Sequence, residues 1–291
     1  MAIETVGIIG AGQMGNGIAQ VFARAGFDVL LNDVSETNLG KALATITRNL
    51  DRRIDKKTLS QDEKAAILGR IRCTVDLASL GRRDLIIESA TEREAIKTRI
   101  FADLLPSLGP DTILTSNTSS ISITRLAATT DRPDRFMGFH FMNPVPVMSL
   151  VELIRGIATS NETYDALKAI VGQLGKTAAS SEDYPAFIVN RVLIPMINEA
   201  VYALYEGVGN VASIDASMKL GANHPMGPLE LGDFIGLDTC LAIMNVLRDG
   251  LADTKYRPCP LLVKYVEAGW TGRKAGRGFY DYRGEIPVPT R

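Results

Sequence analysis

Histidine is scarce in this chain: there are two in 291 residues, His140 and His224. Cysteine is nearly as rare, and Cys73, Cys240 and Cys259 are odd in number, widely spaced and without a CxxC pair. That pattern argues against a disulfide framework or a zinc site and fits a reducing compartment. Neither sign of charge is in excess. With 32 basic and 33 acidic side chains the net charge is −1, so no global field draws nucleic acid or an anionic membrane. No apolar run approaches the roughly 18 residues of a membrane-spanning helix. The N-terminus "MAIETVGIIGAG" enters a strand without the basic and apolar regions of a secretory signal. The expectation is a cytoplasmic protein with no nucleic-acid partner, no membrane partner and no metal.

What the chain does have is length and alternation. At 291 residues, 46% apolar and 22% charged, it has room for two ordinary globular domains. From residue 3 to about 180, short β-branched runs alternate with helical segments. "TVGIIG", "FDVLLND", "DLIIESA", "TILTSN", "RFMGFHF" and "SLVELI" read as strands, and 15–25, 36–50, 61–70, 93–105 and 161–174 as helices. That order predicts βαβ units around a largely parallel sheet, antiparallel where the last strands follow one another directly. Ser60 three residues before Glu63 predicts a capping box, and Asn161 reads as an N-cap. After "SSEDYPAF" no strand is evident, and "AFIVNRVLIPMINEAVYALYEGV" is apolar nearly all round a helical wheel. Pro195 either bends this helix or marks its boundary. The fold expected is an α/β Rossmann-like dinucleotide-binding domain over 1–184, then an all-α C-terminal domain over 185–291. The spare apolar faces of the long helix suggest a homodimer or higher homo-oligomer through that domain, with one large core as the alternative.

The sharpest local signal is "VGIIGAGQMGNGIAQVFARAGFDVLLND", which sets Gly10, Gly12 and Gly15 in G-x-G-x-x-G spacing between a strand and an amphipathic helix. Gly10 permits the turn, Gly12 lets backbone approach a pyrophosphate, and Gly15 lets helix and strand pack closely. Gln13 and Met14 complete the candidate cofactor loop at the helix N-terminus, where free amides hold phosphate. Asp33 ends the second strand, where a carboxylate accepts from ribose hydroxyls and repels a 2′-phosphate. NAD is therefore expected over NADP.

His140 stands in an apolar strand, and alone it reads as a satisfied core residue. Glu152, a lone carboxylate in the next apolar run, follows twelve residues later across the turn-rich "NPVPV". Two neighbouring strands would bring them together. The carboxylate would then fix the imidazole tautomer and leave the second ring nitrogen to take a substrate proton. Ser119, in "SNTSS" after another strand, is either a helix N-cap or a hydroxyl in reach of that pair.

These residues belong to a longer pattern. "GIIGAGQMGNGIAQ", "SNTSSISIT", "GFHFMNPVPVMSLVELI", "FIVNRVLIPMINEA", "GANHPMGPLELGDFIGLD" and "GRKAGRGFYDY" follow in that order. With them the chain resembles the L-3-hydroxyacyl-CoA dehydrogenase family over essentially its whole length. The resemblance implies NAD-linked interconversion of a short (S)-3-hydroxyacyl-CoA thioester and its 3-oxoacyl-CoA, with His140 as acid or base and Glu152 orienting it. It also implies that Ser119 and Asn190 hold the substrate's 3-oxygen and thioester region. Glu92, Lys97 and Asn117 match cofactor-side positions, although a charged residue at a helix start is more often a cap. In "DRRIDKK", Arg52, Arg53, Lys56 and Lys57 would share much of one helix side; the run is a solvated face, or, as the resemblance implies, Arg52 and Lys56 contact coenzyme A. His224 and "GRKAGRGFY" read as structural. Two rivals remain open: a related dehydrogenase of a free hydroxy acid or sugar acid, and a non-catalytic NAD-binding protein.

Overall fold

Backbone contacts in the computed structural model, which describes residues 3–291, divide the chain into two units, Met1–Tyr184 and Pro185–Arg291. The first unit holds β1 (Thr5–Ile9), β2 (Asp28–Asn32), β3 (Ile71–Thr74), β4 (Leu85–Glu88), β5 (Ile113–Ser116), β6 (Phe136–Phe141), β7 (Leu150–Arg155) and β8 (Thr177–Glu182). Its helices are α1 (Gln13–Arg24), α2 (Glu36–Asp55), α3 (Gln61–Gly69), α4 (Glu94–Leu104), α5 (Ile123–Ala128) and α6 (Asn161–Gln173).

The strands form one sheet in the order β3-β2-β1-β4-β5-β6-β7-β8. Chain order turns back at β1, so the loops after β1 and β4 open at a topological switch point, the usual ligand crevice of such sheets. All pairs are parallel except β6 with β7. Inward residues such as Val6, Ile8, Val29, Leu31, Ile87 and Phe139 form one core with Phe22 of α1. The Phe22 ring meets Phe27, Phe139 and Phe141 edge-on or nearly so, with centroids 5.3 to 6.3 Å apart.

Several sequence expectations need correction. β3 and β8 were not foreseen, because "IRCT" is short and "TAASSE" carries little apolar side chain; both are edge strands, which need less of it. β8 runs parallel to β7, so the antiparallel step is confined to β6–β7. α2 continues to Asp55 rather than stopping near residue 50, and the short α5 was missed. Ser160, not Asn161, caps α6 by accepting from Thr163 N. The capping box at Ser60 and Glu63 is present.

The second unit contains α7 (Val189–Tyr205), α8 (Val211–Gly221), α9 (Pro228–Ile235), α10 (Leu237–Leu251) and α11 (Pro260–Glu267). It is not purely helical: β9 (Tyr280–Asp281) and β10 (Val288–Pro289) form a small antiparallel ribbon. Pro195 lies inside α7, costing one backbone bond without ending the helix. The "GRGFYDY" segment closes on buried carboxylates. Asp233 of α9 accepts from Phe279 N and Tyr280 N at 2.9 Å and from the Tyr282 hydroxyl at 3.0 Å. Burial still outweighs those donors and pushes its carboxyl up to about 6. Among the described residues no helix is long and apolar enough to cross a membrane.

Candidate active site

The glycine loop divides its work among three positions. Gly10 has φ +96°, and a Cβ there would lie 2.6 Å from Ser89 O. A Cβ on Gly15 would lie 1.7 Å from Gly10 O, so no side chain fits between α1 and the loop. Gly12 is the opposite case: among the described residues, its chain neighbours and helix backbone aside, nothing lies within 4 Å of its Cβ position, and it is exposed. It is also the N-cap of α1 and makes no side-chain cap bond. An open backbone cradle at an uncapped helix N-terminus suits a pyrophosphate, so the residues fit a dinucleotide.

Asp33 follows β2 and is half-buried. Its Oδ2 accepts from Ala11 N at 2.8 Å, and Oδ1 accepts from Ser35 N and Asn38 Nδ2 at 3.0 Å. The carboxylate thus stands against the glycine loop itself. Gln13, the first residue of α1, donates through Nε2 to Asn143 Oδ1 at 3.1 Å; Met14 behind it is partly buried.

His140 and Glu152 face each other directly in the antiparallel register of β6 and β7. Both are buried, and His140 Nδ1 lies 2.8 Å from Glu152 Oε2. Donor and acceptor depend on the imidazole tautomer; opposite a carboxylate, which only accepts, the tautomer that completes this bond carries its proton on Nδ1 and leaves Nε2 as the acceptor. Ser119 Oγ is 3.1 Å from that Nε2. Alternation along the strands turns these polar groups to the side of the sheet where Phe136 meets Phe101 of α4, opposite the Phe139 side.

Glu92 organises the Ser119 loop. Its Oε1 accepts from Thr118 Oγ1 at 2.6 Å, Ser119 N at 2.8 Å, Ser120 N at 3.0 Å and Ser120 Oγ at 2.9 Å. Asn117 Oδ1 accepts from Phe141 N at 2.8 Å, tying the end of β5 to the residue after His140. Lys97 is turned inward: its Nζ donates to Glu88 Oε1 at 2.9 Å and Oε2 at 2.7 Å and is 3.8 Å from Glu92 Oε2. Ser116 Oγ joins that buried network at 2.6 Å from Glu88 Oε2. Glu88, Ser116 and Asn143 were passed over in the sequence. Glu88 carried a usable signal, a lone carboxylate ending the apolar strand "LIIE".

The remaining candidates lie on other elements. Asn190 lies in the first turn of α7, in the second unit. Arg52 is exposed near the end of α2, and Lys56 is the C-cap. Lys57 leaves the helix with φ 55°, so the four cations do not continue along one helical face. Arg53 is turned to Thr58, with Nη2 3.3 Å from its carbonyl oxygen.

The sheet order, the glycine loop and the carboxylate after β2 place the first unit among dinucleotide-binding Rossmann folds. Residues 5–184 match the model of the 3-hydroxyacyl-CoA dehydrogenase NAD binding domain, and residues 187–282 that of the 3-hydroxyacyl-CoA dehydrogenase C-terminal domain. The chain belongs to the 3-hydroxyacyl-CoA dehydrogenase family. It is 66% identical over 289 residues to a 3-hydroxybutyryl-CoA dehydrogenase of Bradyrhizobium diazoefficiens, covering 99% of each chain. It is 48% identical over 275 residues to that of Clostridioides difficile, covering 94% of this chain and 98% of the relative. The crystal structure of (S)-3-hydroxybutyryl-CoA dehydrogenase from Ralstonia eutropha aligns with a TM-score of 0.95 at 51% identity, over 97% of this chain and 100% of that one.

Proposed function

We propose that this enzyme interconverts (S)-3-hydroxybutyryl-CoA and acetoacetyl-CoA, with His140 as the acid-base group and Glu152 orienting it. The row Ser119 Oγ, His140 Nε2 and Nδ1, Glu152 Oε2 is the observation that carries this reading. Bound NAD supplies the hydride acceptor, and NADH the donor in reverse. The protein's part is the proton. In oxidation His140 Nε2 takes the hydroxyl proton, while buried Glu152 stabilises the imidazolium that forms; in reduction the same nitrogen returns it. Ser119 Oγ and His140 Nε2 together hold the substrate's 3-oxygen. Glu92 keeps Ser119 in place through Oε1, and Lys97 and Asn117 are assigned with it to the cofactor side. Asn190 is assigned to the thioester region on family resemblance alone.

The test is NADH absorbance with acetoacetyl-CoA, longer 3-oxoacyl-CoA thioesters and free acetoacetate, repeated with NADPH. Turnover is expected with the thioesters and NADH. Comparable rates on the free acid would overturn the CoA reading, and a preference for NADPH would overturn the role of Asp33.

Exposed Arg52 and Lys56 are assigned to the phosphates of coenzyme A. Changing both to glutamate is expected to raise the apparent KM for acetoacetyl-CoA about threefold to tenfold at low salt, and less at high salt. An unchanged KM at low salt would return them to a solvated face. Self-association is assigned to the second unit, where Val192 is 67%, Leu220 85% and Phe234 56% exposed. A reducing, cytoplasmic location is part of the same proposal, on the odd number and wide spacing of the three cysteines.

A further inference from the structure

The loop joining His140 to Glu152 is fastened by a residue that the proton chemistry does not use. Within it, Val147 N and Met148 N both donate to Pro144 O at 3.0 Å. Lys176, one residue before β8, donates from Nζ to Val145 O at 2.7 Å and to Met148 O at 2.6 Å. Its ammonium is half-buried, and its pKa is lowered by that burial and by the nearby charge of Arg24. A half-buried cation bonded to two loop carbonyls is a charge-assisted, specific fastening.

The same loop reaches the cofactor helix at two points. Asn143 Oδ1 accepts from Gln13 Nε2 at 3.1 Å. Val145 is seated at Gly17, where a Cβ would come within 2.9 Å of Val145 Cβ. Gln13 and Gly17 span the first turn of α1, the turn whose amides fit a pyrophosphate.

We infer that Lys176 is a positioning residue for the cofactor: it pins the 143–148 loop so that Asn143 meets Gln13 and Val145 fills the notch at Gly17, holding the first turn of α1 in place. The inference rests on the NAD-linked reading, but not on the acyl-CoA substrate. His140 and Glu152 are held by strand register rather than by this loop, so Lys176 acts on cofactor affinity and not on the acid-base step.

Lys176→Met keeps the aliphatic stem and removes the donors. Calorimetric titration of the intact protein is expected to show the Kd for NADH rising about tenfold, the worth of a lost charged hydrogen bond. Lys176→Arg should restore binding to within about threefold of the parent. Gln13→Ala combined with Lys176→Met should lose less than the sum of the single losses, since both break one linkage. The pH profile of kcat should keep its shape. If Lys176→Met does not fold, Lys176→Gln, which retains an amide donor, is titrated instead and should bind with intermediate affinity. A Kd within twofold of the parent, or strictly additive losses with Gln13→Ala, would overturn the assignment. NADH titration is independent of the substrate, so a protein that binds NADH but ignores acetoacetyl-CoA defeats the proposed function without deciding Lys176.

Discussion

His140→Gln is expected to lower kcat by roughly 10²- to 10⁴-fold, the usual worth of a positioned acid-base group, while NADH binding stays nearly intact. Glutamine fills much of the imidazole's space and hydrogen-bonds, but it takes no proton at neutral pH. The effect should therefore fall on kcat rather than on folding. Glu152→Gln should cost a large part of the same factor. It keeps an oxygen for Nδ1–H but removes the charge that stabilises the imidazolium, in a site buried enough for that charge to count.

The decisive measurement is the double variant. Groups that act as one unit are non-additive when removed, so His140→Gln with Glu152→Gln should be little slower than His140→Gln alone. The 2.8 Å contact and the direct cross-strand register are what such coupling requires. Near-parental turnover in a folded His140→Gln variant would refute the acid-base assignment. Fully additive losses would show that Glu152 serves another group.

The pairing of these two residues was legible because each interrupts an apolar run, and a buried polar group demands a partner. The same logic applies to Glu88, but its partner Lys97 lies on a helix nine residues on and looks, in sequence, like any solvent-facing lysine. Its inward turn is decided by tertiary packing. Glu92 was legible only through resemblance; its bonds to residues 118–120 depend on β4 and β5 being neighbours, which no local pattern specifies. The turn at the glycine loop was readable because the positive φ of Gly10 and the approach of Gly15 to Gly10 O are local, although the crowding of Gly10 by Ser89 is not. The edge strands β3 and β8 were not, since backbone pairing with a neighbour, rather than their own side chains, makes them strands. The basic segment was misjudged in geometry for a related reason: the left-handed turn at Lys57 ends the helix where charge spacing alone continued it.

The glycine loop gives the other large effect, and two substitutions separate packing from binding. Gly15→Ala puts a methyl 1.7 Å from Gly10 O, a backbone atom of a residue already at φ +96° whose amide is bonded to Asn32 O at 2.8 Å. Neither side yields cheaply, so α1 must lift from β1. A cost of about 3 kcal/mol or more is expected, with a thermal midpoint lower by about 10 °C and NADH binding lost with the displaced amides. Among the described residues, chain neighbours and the helix's own backbone aside, a Cβ on Gly12 meets nothing within 4 Å, so the thermal midpoint of Gly12→Ala should stay close to that of the parent. Its methyl would instead occupy the cradle that the pyrophosphate needs, weakening NADH by about 10²-fold. Thermal denaturation paired with NADH titration distinguishes them. A Gly15→Ala protein as stable as the parent would mean that helix and loop relax freely, and tight NADH binding by Gly12→Ala would place the pyrophosphate away from this backbone.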